Sequence, residues 1–206
     1  MTKLIVGISG ASGAIYGIRL LQTLRQAGVE SHLVITSAAQ KTIRLETPHT
    51  IRKVEALAAH VYNIDDVGAA IASGSFKTAG MIVAPCSIKS TSAIAHSYND
   101  NLLVRAADVT LKERRRLVLV VRETPLHQGH LRAMLQLCET GAILLPPMPA
   151  FYHLPKTVDD IVNHTVGKML DLFDIQHSLF ERWTGAKAPN GARPVEQFVA
   201  KQEQQP

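Results

Sequence analysis

The chain lacks much of what common catalytic and structural devices require. It has two cysteines in 206 residues, Cys86 and Cys138, far apart and without a CxxC pair. A disulfide framework is excluded, and a reducing cytoplasmic compartment is expected. Aromatic residues are 5% of the chain, with a single tryptophan, Trp183. Nucleic-acid binding asks for a broad basic face with interleaved aromatics. Part of the +5 net charge is instead gathered in LKERRRL at 111–117, which reads as a helix C-terminus ahead of the next strand. No nucleic-acid partner is expected, and small anionic ligands suit the charge better. No apolar run approaches the roughly 20 residues of a membrane span. The start shows no basic leader before a cleavable apolar core, so neither membrane insertion nor export is expected.

Several active-site motifs are missing too. The glycines at 7, 10 and 13 do not spell GxGxxG, and GxxxxGK[ST] is absent. No G-x-S-x-G elbow or Ser-His-Asp order points to a hydrolase. His127 and His130 have metal-pair spacing, but no third ligand lies nearby in sequence, and they read as surface or supporting histidines. The acidic pair in VDDIV (158–162) follows Thr157 and reads as a capped helix start rather than a magnesium cluster.

What is present is a repeated pattern. Short apolar, β-branched runs occur at 3–8, 31–36, 80–84, 117–121 and 142–145, each followed by a helix-like segment. Such runs predict strands buried on both faces of a mostly parallel sheet. Helices are expected at 13–27, 38–46, 50–59, 87–95, 102–115, 127–140 and 157–174, on both sides of it. One α/β domain thus takes residues 1–184. From 185 onward GAKAPNGARPVEQFVAKQEQQP loses apolar periodicity, and a flexible or interface-forming tail is expected.

Ligands of open parallel sheets bind beyond the carboxyl ends of the strands. Those ends carry Gly10, Ala11 and Ser12, then Thr36 and Ser37, then PCSIKS (85–90), then Arg122 and Glu123, then PPMPAFYH (146–153). Small hydroxyl and cationic residues recur, a good lining for a phosphorylated ligand. A strand turning through glycines into a helix often holds an anion at the helix start. Tight strand–helix packing also asks for glycine, so that loop leaves both readings open. Thr36 and Ser37 stand where a dinucleotide site would place an acid for the ribose 2′-hydroxyl. This favours a mononucleotide phosphate met by backbone N–H groups and hydroxyls.

GISGASGAIYG, LET, SGSF, PCSIKS, RAADVTLKERR, VRETPLH and PPMPAFYH resemble, in order and spacing, the UbiX-type (UbiX/Pad) flavin prenyltransferases, from about residue 3 to Trp183. The resemblance implies a Rossmann-like three-layer sandwich that binds flavin. It implies transfer of a dimethylallyl group from dimethylallyl phosphate to N5 and C6 of reduced FMN, without a metal. The product, prenyl-FMN, would serve UbiD-type decarboxylases, including the one in ubiquinone biosynthesis. A homo-oligomer is expected, usually a dodecamer, with active sites at subunit junctions.

Carried over by resemblance, FMN would contact Gly10, Ala11, Ser12, Thr36, Ser87, Ile88, Lys89, Ser90 and Arg122. The prenyl phosphate would meet Tyr152 and Lys168, with Lys112 and Arg122 nearby. Glu123, Ser12, Glu46 and Lys112 would assist the chemistry, and Phe151, Tyr152 and Trp183 would wall out water. Relatives often carry Ser at position 36, which keeps the hydroxyl. They often carry Arg at 168, where Lys keeps the charge but gives up a two-pronged phosphate grip. Two other functions fit parts of the pattern. One is a non-catalytic FMN-binding accessory subunit of an aromatic-acid decarboxylase. The other is a flavin-dependent cysteine decarboxylase, whose catalytic histidine on the first long helix has no counterpart within 13–27.

Overall fold

The computed structural model describes residues 2–183; the tail expected at 185–206 lies outside the described residues. The first apolar run forms β1 (Lys3–Ile8), and α1 (Ala14–Gln26) follows the glycine turn. In chain order come β2 (Glu30–Ile35), α2 (Ser37–Glu46), α3 (Ile51–Glu55), β3 (His60–Tyr62), β4 (Gly80–Cys86), α4 (Ile88–Ala95) and α5 (Leu102–Lys112). Then follow β5 (Arg116–Val121), α6 (Gln128–Glu139), β6 (Ile143–Leu144) and α7 (Val158–Asp171).

All the strand pairs are parallel, in the order β3-β2-β1-β4-β5-β6. This is the doubly wound Rossmann order. The chain works outward from β1 in one direction, then crosses back to β4, so the switch point lies between β1 and β4.

Alternation along the strands feeds two cores. Leu4, Val6 and Ile8 of β1 pack with α1, α2 and α7 on one face. Ile5, Met81, Val83 and Leu119 pack with α4, α5 and α6 on the other. The three-layer expectation therefore holds. At α7, Thr157 accepts from the Asp160 N–H while the Asp160 side chain accepts from the Thr157 N–H, a complete capping box. Those backbone donors, Lys156 N–H foremost, hold the Asp160 carboxyl below the usual range.

Three expected helices differ: the one drawn to 174 stops at Asp171, and Asp174 takes a left-handed φ of 56°. The one drawn over 50–59 is a single turn, Ile51–Glu55, followed by the short edge strand β3. Its HVY triplet is too short to show a period. The helix drawn to 115 stops at Lys112, because Arg114 takes a left-handed φ of 56° and turns the chain into β5.

At Gly17, α1 lies tight against the sheet. A Cβ there would lie 2.3 Å from the Ala84 carbonyl oxygen and 2.9 Å from Ile8 Cδ1. Backbone on one side and buried core on the other leave no room to yield. Gly17→Ala is expected to cost about 1–3 kcal/mol of stability. A thermal midpoint within a degree of the parent chain would contradict that packing.

Candidate functional site

The loops leaving the carboxyl ends of β1 to β5 meet over the β1–β4 switch point. They enclose a cleft of about 640 Å³. Gly10, Ala11 and Ser12 line it after β1, and Thr36 after β2. Ser87, Ile88, Lys89 and Ser90 line it after β4, and Arg122 and Glu123 after β5. One cleft thus gathers every residue expected to contact flavin, together with Ser12 and Glu123 of the expected chemical set.

Helix starts account for its character. Thr36 Oγ1 accepts from the Ala39 N–H at 3.1 Å, and Ser87 Oγ from the Ser90 N–H at 3.2 Å. Asn101 Oδ1 accepts from the Val104 N–H at 3.1 Å. The capped N-termini of α2, α4 and α5 therefore all border the cleft, each bringing partial positive charge. Lys89 and Arg122 add full charges. A phosphate monoester matches this set of donors.

The start of α1 is different. The N–H groups of Gly13 and Ala14 both donate to Glu46 Oε2, at 2.8 and 3.2 Å. The anion at the glycine turn is therefore the protein's own carboxylate. Gly13 makes the turn with a φ of 100°, a conformation that suits glycine. At Gly10 a Cβ would collide with Ala38 at 2.3 Å, so the turn lies directly against α2. Glu46 is held beside Ser12 but does not line the cleft.

Other residues escaped the sequence reading. Ile64 and Asp65 line the cleft after β3, a strand the sequence did not reveal. Asp65 and Asp66 are also an adjacent acidic pair that the reading passed over. Asp100 and Asn101 line the cleft ahead of α5; the Asn101 cap before an amphipathic run was the available signal. Ser9 is fully buried. Its hydroxyl donates to the Pro85 carbonyl at 2.9 Å and accepts from the Ser87 N–H at 2.7 Å. It pins the end of β1 to the start of α4. Cys86, in the same PCSIKS run, is buried and pushed up to about 12 by desolvation, so it stays a thiol in the core.

Lys112, Tyr152 and Lys168 do not line this cleft. Lys112 ends α5 beside Gly74, paired with Glu113. The Tyr152 hydroxyl lies 3.0 Å from His164 Nε2, and its ring meets Trp183 edge-on at 5.5 Å. Lys168, exposed on α7, lies close enough to His164 to disfavour its charge. Burial is the larger cause, followed by His153 and then Lys168. Tyr152 also lines a second hollow of about 570 Å³ with His153, Phe180 and Trp183.

The flavoprotein family profile matches residues 1–184. The flavin prenyltransferase UbiX of Thauera aromatica is 62% identical over 89% of this chain and 94% of its own length. The chain belongs to the UbiX-type flavin prenyltransferases. Within that family, the crystal structure of AnUbiX in complex with FMN and dimethylallyl pyrophosphate has a TM-score of 0.89 and 49% identity. It covers 90% of this chain and 99% of that one. The dodecameric FMN-dependent Ubix-like decarboxylase from Escherichia coli O157:H7 has a TM-score of 0.88 and 54% identity. That match covers 89% of this chain and all of the other.

In this UbiX-type chain Ser9 is the joint between the glycine turn and the α4 cap. Ser9→Ala would leave the part-buried Ser87 N–H without its partner, while the Pro85 carbonyl keeps only the Ser9 N–H. A loss of about 1–3 kcal/mol is expected, read as a lower thermal midpoint of the ligand-free protein. An unchanged midpoint would contradict the joint.

Proposed function

We propose that this chain is a metal-independent flavin prenyltransferase that moves a dimethylallyl group from dimethylallyl phosphate to N5 and C6 of reduced FMN. The observation that carries the reading is the single cleft in which three capped helix starts, Lys89 and Arg122 converge. The donor set suits FMN: hydroxyls and cations for the phosphate, polar Asp65 and Asn101 for a ribityl chain, Ile64 and Val104 for a ring. Residues 1–184 then form one flavin-binding domain.

Bound reduced FMN supplies the nucleophilic N5 and C6. Thr36, Ser87, Ser90 and Lys89 hold the flavin phosphate, and Arg122 serves the face where the donor enters. Glu123 Oε1 accepts from the Thr124 N–H at 3.0 Å. Its other oxygen is the base for the proton released when the ring closes at C6. Ser12, with Glu46 behind it, orients the reacting edge.

The departing phosphate needs cations, and within one chain Lys112, Tyr152 and Lys168 lie elsewhere. Neighbouring copies in a homo-oligomer, a dodecamer on this reading, bring them to the cleft. Exposed Phe151, Tyr152, Leu154 and Trp183 supply an apolar surface for such a junction. Neutral His164 can accept from the Tyr152 hydroxyl and set its direction. Lysines, Arg122 and a phenol together meet a monophosphate without a divalent ion. Closure by the aromatic residues keeps water from the allylic fragment.

Among the described residues no helix is long and apolar enough to cross a membrane. We place the enzyme in the cytoplasm, delivering prenyl-FMN to a UbiD-type decarboxylase. The α1 sequence AIYGIRLLQTLRQ carries no histidine, which disfavours a cysteine decarboxylase.

Anaerobic incubation with reduced FMN, dimethylallyl phosphate and a chelator is expected to give prenylated flavin by mass spectrometry. Absence of product contradicts the proposal. Lys168→Ala is expected to slow formation about tenfold or more, since a bond to a charged group is worth about 1.5–3 kcal/mol. A merely accessory flavin carrier would yield no product, and Lys168→Ala would leave its flavin binding unchanged.

A further inference from the structure

At the opposite end of the sheet, Glu30 opens β2 and His60 opens β3, with His32 between them in register with His60. Both histidines bring Nε2 close to one carboxylate oxygen, and His32 hydrogen-bonds it. Glu30 Oε1 lies 3.2 Å from His32 Nε2 and 3.3 Å from His60 Nε2. All three donor atoms fall within 4.8 Å of one another. We propose that Glu30, His32 and His60 form a site for a borderline divalent transition cation of the Zn²⁺ or Co²⁺ class. It is independent of the flavin cleft and takes no part in prenyl transfer.

The spacing is that of a coordination sphere. Two ligands of a tetrahedral zinc, at bond lengths of about 2.0–2.1 Å, stand about 3.3–3.4 Å apart. The two carboxylate–imidazole distances already match, so the backbone need not move. Imidazole with one carboxylate suits zinc and cobalt rather than magnesium or calcium. His32 is buried, and its Nδ1 lies 2.9 Å from the Tyr62 hydroxyl. That outer partner fixes the ring orientation, as metal-bound histidines require.

His60 supplies the adjustable ligand. Its ring stacks on His32 with centroids 4.7 Å apart and planes 13° from parallel. Its side chain is 54% exposed, so the ring can turn out of the stack to point its lone pair at the cation. Solvent then fills the fourth position. Lys3 Nζ lies 3.6 Å from Glu30 Oε1 and 4.9 Å from the centre of the Phe76 ring. The cation displaces this ammonium from Glu30.

The test uses the full chain without an affinity tag. Co²⁺ titration is expected to give the strong visible d–d absorption of a low-coordinate nitrogen–oxygen site, bleached by Zn²⁺. His60→Ala, at an exposed edge position, is expected to weaken Co²⁺ binding by at least about the 10- to 100-fold that follows loss of an outer partner alone. Glu30→Gln should weaken it as well. The His127→Ala/His130→Ala double variant should bind like the parent, excluding that neighbouring pair as the source. Absence of the band, its survival in both His60→Ala and Glu30→Gln, or its loss in the double variant overturns the proposal.

Discussion

Strand direction is the constraint on which everything else depends. In this sheet each strand runs parallel to its neighbours, so the helices that follow start at the same edge. Their unpaired N–H groups and positive dipole ends gather there, whatever the side chains. The reversal between β1 and β4 then opens a gap in that edge. Side chains refine the result: Thr36, Ser87 and Asn101 cap the helices, and Lys89 and Arg122 add charge. An anionic ligand is drawn to this edge before any particular chemistry is specified.

Internal bonds decide which part of the edge stays open to a ligand. Glu46 takes the first N–H groups of α1, so the glycine turn is closed as an anion site and becomes a rigid wall. Ser9 joins that wall to the start of α4. The turn works through shape and close packing at Gly10 and Gly17 more than through its own donors.

The fold was legible because both faces of the sheet are covered, which writes each long strand as a continuous apolar run. β3 was not, since three residues at an edge carry no pattern, and the cleft residues beyond it, Ile64 and Asp65, were lost with it. The cleft from Gly10 to Glu123 could be read because each contributor directly follows a readable strand. Ser9 looked like part of a glycine loop; only the fold reveals that it bridges two strand ends. Sequence order also gave no sign that Tyr152 and Lys168 cluster around His164, away from the cleft of their own chain. The cation site was hidden for a similar reason. His60 meets Glu30 and His32 only through the register of a strand the sequence did not show.

On the proposed function, the phosphate end of the ligand provides its grip on the protein. Comparing the dissociation constants of FMN and riboflavin, by quenching of flavin fluorescence, tests this directly. Two or more charge-assisted bonds at about 1.5–3 kcal/mol each predict that riboflavin binds about 100-fold more weakly or worse. Equal affinity for the two flavins would contradict it, because the convergence of helix starts and cations would then hold nothing.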